Sequence, residues 1–460
     1  MINYCPGCFE KQRKIDELTE EVKRLKAKLN YLERKEQEGY FGSSTPSSQI
    51  PLKTNALKEN QAKRGGAKPG HRGHGRQTFD ESGADRVVRV ESEVGDRCPQ
   101  CGGPLEDKGT ENHCVIDIPP LKTERILYQL PKRYCPRCQK SYQPPAPGVL
   151  PKSLYGNQLV ATASTMHYLH GIPMGRIIEQ IDIGLGPLIK IFHRLAKIFG
   201  NIPDRLIGQY RQSPVRHADE TSWRNDGQSG YVWLFATVKI SLFLFRKTRS
   251  SSVPREVLGT QPLPGTLVVD RYNAYNKVPC ALQYCYAHLL REVEDLEKKF
   301  PGQEEVKTFA GVLAPLLSTA MHLRALPITD AQFYQRATEV KSQIIEVVQA
   351  SAQHLAIRHI QDIFHDNQDR MYRWAADRQI PADNNLSERE LRLTVIARKV
   401  SFGSQSDAGA QTREVLMTTL HTFKKQTKTD VASAFKTILD QLAKNPSLDP
   451  YSLLFPNDTS

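Results

Sequence analysis

The chain lacks an apolar run long enough to cross a bilayer. The stretch from Tyr231 to Phe245 is broken at Lys239, whereas a spanning helix needs about 20 largely apolar residues. A secretory leader is missing too, since Met1-Ile2-Asn3-Tyr4-Cys5 shows no charged segment followed by an apolar one. These absences set aside membrane and exported proteins, and the expected compartment is the cytoplasm. Cysteine is sparse, with nine in 460 residues, six of them in three Cys-x-x-Cys pairs. In a reducing compartment that distribution points to metal binding rather than disulfides. Acidic charge is in deficit: 50 Asp and Glu face 63 Lys and Arg, for a net charge of +13. Such a balance favours a polyanionic partner, nucleic acid first. No phosphate-binding loop is evident, because the glycine-rich stretch Gly65–His74 follows no strand and opens no helix.

What is present fits roughly three domains at about 150 residues each. Tyr231–Val238 and Ile240–Phe245 are rich in β-branched and aromatic residues, follow the turn signal Asn225-Asp226-Gly227, and read as core strands joined at Lys239. Asp219, in Asp219-Glu220-Thr221-Ser222-Trp223, and Asp270, after Thr266-Leu267-Val268-Val269, are read as closing apolar strands. An acid placed there leaves the sheet where metal and substrate can reach it. Trp223 is either a strand-holding aromatic or core.

Along the chain, Ile15, Leu18, Val22, Leu25, Leu29 and Leu32 alternate spacings of three and four. They predict a coiled coil over residues 1–40 and self-association as a dimer or higher oligomer, the alternative being a helix packed on its own domain. Cys5 and Cys8 form an isolated pair of open role. Residues 41–80 have no apolar periodicity and read as a flexible basic arm, with Lys63, Arg64, Lys68, Arg72 and Arg76 placed to lie along phosphates; a merely solvated linker is the plainer reading. In residues 81–148, Cys98, Cys101, Cys135 and Cys138 can supply four thiolates to one structural zinc. The gap between the pairs exceeds the usual 15–20 residues, so an inserted hairpin is implied. The module would present Lys132, Arg133, Arg137 and Lys140 to DNA. Residues 149–212 read as short helices with glycine turns, either a helix-turn-helix carrying Lys190, Arg194 and Lys197 or a plain spacer. A helix over Ala287–Phe300 puts His288 and Arg291 on one face, near the carboxylates and within reach of phosphates. Residues 301–378 read as a helical insertion and 426–460 as a C-terminal tail.

The third acid is Glu388, in Asn384-Asn385-Leu386-Ser387-Glu388-Arg389-Glu390-Leu391-Arg392. Taken alone it is explained by a capping box from Asn385 and an i,i+4 pair with Arg392, itself also a candidate DNA contact. In combination, two strand-end aspartates and a helical glutamate can hold two magnesium or manganese ions about 3.5–4 Å apart, a site built from hard oxygen ligands.

The blocks Asp219–Trp223, Val269–Tyr275, Cys285–Arg291 and Asn384–Arg392 resemble those of bacterial insertion-sequence transposases of the DDE class, in the family numbered sixty-six. The resemblance extends to the leading coiled coil, Gly65–His74, the zinc knuckles, Tyr155-Gly156, Gly171-Ile172-Pro173, and Arg398-Lys399 with Phe402-Gly403-Ser404. It implies an α/β multidomain protein with an RNase H-like core over 213–425, a mixed sheet with helices, and the helical insertion. It also implies a metal triad of Asp219, Asp270 and Glu388, and a transposase at work on DNA at the nucleoid, with ends cleaved and their 3′-OH groups joined to target. The alternatives are a zinc-containing DNA-binding regulator with an inactive core and a magnesium-dependent nuclease without strand transfer.

Overall fold

A computed structural model describes residues 14, 15, 18, 21, 22, 80–89, 96–106, 114–115 and 123–456. Ile15, Leu18 and Val22 are helical and exposed. The rest of the predicted coiled-coil seam, Cys5 and Cys8, and the basic arm with Lys63, Arg64, Lys68, Arg72 and Arg76 lie outside the described residues. The chain divides into a smaller unit, Pro51–Thr123, and a larger one that takes in Glu124–Ser460.

Within Glu124–Ser460, the first strands form a small antiparallel hairpin, β1 (Arg133–Cys135) and β2 (Lys140–Tyr142). Four helices follow, α1 (Asn157–Ser164), α2 (Met174–Gln180), α3 (Leu185–Ile198) and α4 (Ile202–Gln212), with a π-helical turn at Thr165–Leu169 between the first two. The central sheet is built from β3 (Val215–Asn225), β4 (Gln228–Ala236), β5 (Ser241–Arg246), β6 (Thr266–Val269) and β7 (Ala281–Tyr284), with α5 (Ser252–Leu258) between β5 and β6. Its order is β5-β4-β3-β6-β7. The first three strands run antiparallel and β6 and β7 join in parallel, which makes a mixed α/β sheet. The β3–β4 hairpin turns on Asp226 and Gly227, both at positive φ (51° and 71°), the backbone a two-residue type I′ loop demands.

One strand departs from the sequence reading. Asp219 does not close its strand; it sits in the middle of β3, because the antiparallel ladder with β4 runs from His217↔Ala236 to Asn225↔Gln228 and carries the polar residues along with it. The parallel ladder with β6 is shorter and reaches only His217↔Val268. Asp219 therefore stands where β6 falls away, and Asp270 follows β6 directly.

After β7 come α6 (Tyr286–Lys299), α7 (Glu304–Leu323), α8 (Asp330–Gln349), α9 (Leu355–Asp366), α10 (Gln368–Met371) and α11 (Arg373–Ala376). The last five fill the predicted insertion. By length and composition α7 could span a bilayer, yet Phe309, Leu313, Leu317 and Leu323 are buried and the helix packs between α6 and α8. The chain ends in α12 (Asn385–Ser401), α13 (Asp407–Gln426), α14 (Val431–Lys444) and α15 (Pro450–Leu454). Helix α12 lies on β3 and β4, and α13 on β5. Helices α3 and α4 pack on α13 and α1 packs on α14, so residues 149–212 share a core with the C-terminal helices. The segment read as a tail is thus part of that core, with Phe435, Leu439, Leu442, Tyr451 and Leu454 buried at helical spacing.

Candidate active site

Three elements converge where β6 ends. From β3, Asp219 is buried; its Oδ1 accepts the N–H of Glu220 at 2.8 Å, and its Oδ2 is buried with no hydrogen-bond partner. From the end of β6, half-buried Asp270 turns its Oδ1 back to accept the Tyr272 N–H at 2.9 Å. From the first turn of α12, buried Glu388 accepts from Arg291 at 3.3 Å through Oε2. Its Oε1 is buried without a hydrogen bond and lies 3.9 Å from His288 Nδ1, which also has none. Burial, followed by the charges of Glu220, Asp270 and Glu388, holds the Asp219 carboxyl well above the ordinary carboxylate range. Like charges crowded in a low-dielectric site raise one another in this way, and a cation relieves them.

The capping explanation for Glu388 does not hold. Helix α12 starts at Asn385 with Asn384 as its N-cap, so Glu388 lies one position beyond the residue a capping box uses, and Asn384 caps with no side-chain bond. Arg392 is exposed; the pairs of Glu388 run to Arg291 and His288 on α6. Asn384 has another task. Its Oδ1 meets His217 Nδ1 at 2.9 Å, its Nδ2 donates to Ala218 O at 2.8 Å, and its backbone N–H donates to Cys285 Sγ at 3.1 Å.

Glu220, the next residue on β3, is fully engaged by other partners. Arg249 donates to its Oε1 twice, at 2.9 and 2.6 Å, and the Tyr275 hydroxyl donates to its Oε2 at 2.6 Å. Burial, with the charge of Asp270, pushes its carboxyl up to about 7 against the pull of Tyr275 and Arg249. Trp223 is core: it is buried against Phe245, with the Arg413 guanidinium 5.1 Å from its ring centroid.

His288 and Arg291 do share a face of α6, as their spacing predicts, and that face meets Glu388. Arg271 pairs with Glu292. On α3, Lys190 and Lys197 are exposed, while Arg194 donates to Pro151 O. Sequence reasoning missed Asn384, His217 and Cys285 as supports of the site. Little in the local pattern marked them: His217 stands in the polar run of β3, and Asn384 holds the N-cap position of α12 without a side-chain cap bond.

The donor set suits a divalent metal. Two buried carboxylate oxygens, Asp219 Oδ2 and Glu388 Oε1, lack any donor, and oxygen ligands of this kind are what magnesium takes. Ligand atoms of Cys285, His288 and Glu388 lie within 4.8 Å of one another.

The cysteine pairs form knuckle turns. In the first, Gly102 N–H donates to Cys98 O and Cys98 N–H to Gly103 O, both at 2.8 Å, and the N–H groups of Gln100 and Cys101 lower the Cys98 thiol. In the second, Cys135 ends β1, Gln139 takes a φ of 54°, and Cys138, through its N–H and then its thiol, lowers the Cys135 thiol. A thiol held down is readier to ligate as thiolate.

Residues 96–139, which span Cys98, Cys101, Cys135 and Cys138, match the zinc-finger binding domain of transposase IS66, which supports structural zinc. The uncharacterized protein y4jD of Sinorhizobium fredii (strain NBRC 101917 / NGR234) is 22% identical over 74% of this chain and 73% of its own length. Residues 152–412, from the helices that brace the sheet through the carboxylates to α13, match the Transposase IS66 family, and the chain belongs to that family of DNA-binding transposases.

Proposed function

We propose that this transposase hydrolyses the phosphodiester at each transposon end to free a 3′-OH, then directs that hydroxyl at target DNA. The observation that carries the reading is the meeting of Asp219, Asp270 and Glu388, with two buried carboxylate oxygens left without donors. A core of RNase H type fits the sheet order and the helix that brings the last acid. Asp219 and Asp270 would hold one divalent ion directly and Glu388 would complete the site for a second. When bound, such a pair activates the attacking oxygen and steadies the leaving one. The chain itself holds the acids in place, through the β3–β4 ladder, the Tyr272 N–H and Asn384, with Asp219 and Glu388 largely buried.

Zinc would be held by Cys98, Cys101, Cys135 and Cys138. The arm residues Lys63, Arg64, Lys68, Arg72 and Arg76, with exposed Lys190, Lys197 and Arg392, would follow the phosphate backbone. Self-association through residues 1–40 would bring two ends into one complex, which sedimentation of a chain lacking them tests.

Asp270→Asn tests the chemistry. It removes one carboxylate charge and leaves the zinc module untouched, so magnesium-dependent cleavage of end-containing DNA should fall by at least 100-fold with DNA binding within about two-fold. Cleavage retained at the wild-type rate would overturn the metal mechanism. Cleavage without joined products in the wild type would make the protein a nuclease, and binding without cleavage a regulator.

A further inference from the structure

His288 is the residue that neither the helix packing nor the carboxylate triad accounts for. It lies in the first turn of α6, in the Cys285-Tyr286-Ala287-His288 segment that leads off β7, and its Nδ1 is buried without a hydrogen-bond partner. Buried polar atoms are almost always satisfied, and each exception calls for a cause. Here the exception is double. Glu388 Oε1 is also buried and unpartnered, and the two atoms face each other at 3.9 Å. That gap is too long for a hydrogen bond. It is close to twice the roughly 2.0–2.2 Å that metals keep from imidazole nitrogen and carboxylate oxygen.

The remaining neighbours are already committed. Cys285 Sγ accepts the Asn384 N–H at 3.1 Å, and Arg291 donates to the other Glu388 oxygen at 3.3 Å. We propose that His288 Nδ1 and Glu388 Oε1 together ligate one divalent cation, so that the metal at the glutamate end of the site carries a nitrogen ligand. This deepens the proposed function and rests on it. It changes the ion the site should prefer. Magnesium takes oxygen ligands and loses water reluctantly, whereas the divalent first-row ions gain affinity at a site with a nitrogen ligand in an order that starts at Mn2+ and rises through Fe2+; Mn2+ serves as the paramagnetic probe of that series. His288, on this view, is not a phosphate contact but part of the metal site.

The test is pulsed electron paramagnetic resonance of the full-length protein loaded with Mn2+, without DNA, in the wild type, His288→Ala and Asp219→Asn. Circular dichroism and thermal unfolding establish that each variant is folded. The wild type should show echo modulation from a directly bound imidazole nitrogen. His288→Ala should lose that modulation and bind Mn2+ roughly ten-fold more weakly while Mg2+ affinity changes less. Mn2+ bound in the wild type without nitrogen modulation, or with modulation that persists in His288→Ala, would overturn the proposal and leave the carboxylate site standing. Absence of any Mn2+ binding that Asp219→Asn weakens would overturn both this proposal and the metal reading beneath it.

Discussion

Asn384 shows how much of a metal site can depend on a residue that touches no metal. One side chain and one backbone N–H join β3, through His217 and Ala218, to the start of α6, through Cys285, and to the helix that carries Glu388. Asn384→Ala leaves the buried Ala218 carbonyl and the His217 ring without that partner, and each lost buried bond costs about 1–3 kcal/mol. Denaturant unfolding should register a loss of about 2–6 kcal/mol, and DNA cleavage measured well below the new midpoint should still be depressed, because Glu388 is no longer held against β3. Unchanged cleavage in the folded variant would show that the asparagine serves stability alone. At this scale the sequence was half legible. The two aspartates were visible because charge beside apolar strands is conspicuous, whereas Asn385-x-x-Glu388 offered a cap pattern that local spacing could not distinguish from a tertiary role for Glu388, and nothing local marked Asn384 as a partner of β3.

Among the elements, α12 is fixed at both ends, by Asn384 at its start and by the Phe402-Gly403-Ser404 turn at its finish. Phe402 adopts a left-handed φ of 60° and Gly403 a φ of 135°. A Cβ on Gly403 would lie 2.1 Å from Arg224 O, so only glycine lets the turn reach the far end of β3. There Ser404 N–H donates to Arg224 O and Asp226 N–H to Ser404 O, both at 2.9 Å, and Trp223 Nε1 donates to Ser404 Oγ at 3.1 Å. Gly403→Ala should therefore detach the turn and destabilise the chain by about 3 kcal/mol, three bonds at about 1 kcal/mol each. A red shift of Trp223 emission would accompany the loss; a variant as stable as the wild type would mean that the turn is not a clamp. The β3–β4 turn and the strand cores were readable from composition. The length of β3 was not, since its polar run is held in the sheet by the ladder with β4 and not by its own composition.

For the whole molecule, helices α1–α4 are fused to the C-terminal helices by a buried polar joint. The Arg413 guanidinium on α13 donates to His167 Nε2 at 2.8 Å, so that nitrogen accepts and the ring is neutral, with its Nδ1–H directed to Ile172 O at 2.8 Å. His421, also on α13, meets Tyr168 O at 3.1 Å. Burial, then Arg413, lowers His167 to about 3, and burial, with Lys425, Lys424 and His170 adding to it, lowers His421 to about 4. Both folded values lie below the unfolded value of about 6.5. Above that pH both states are neutral and the joint is at full strength; as pH falls through 6.5 towards 4 the unfolded chain takes up protons that the fold refuses, at about 1.4 kcal/mol per pH unit for each histidine. Domain boundaries drawn from sequence placed 149–212 and 426–460 apart because a glycine turn or a short amphipathic helix looks the same whether it is free or buried against distant chain. His421→Gln, which keeps a donor for Tyr168 O and removes one titrating group, should flatten the fall of unfolding free energy between pH 6.5 and 4.5 by about one proton. An unchanged slope would mean that this joint does not open with the global unfolding of the chain, and the helical segment would then be an independent unit after all.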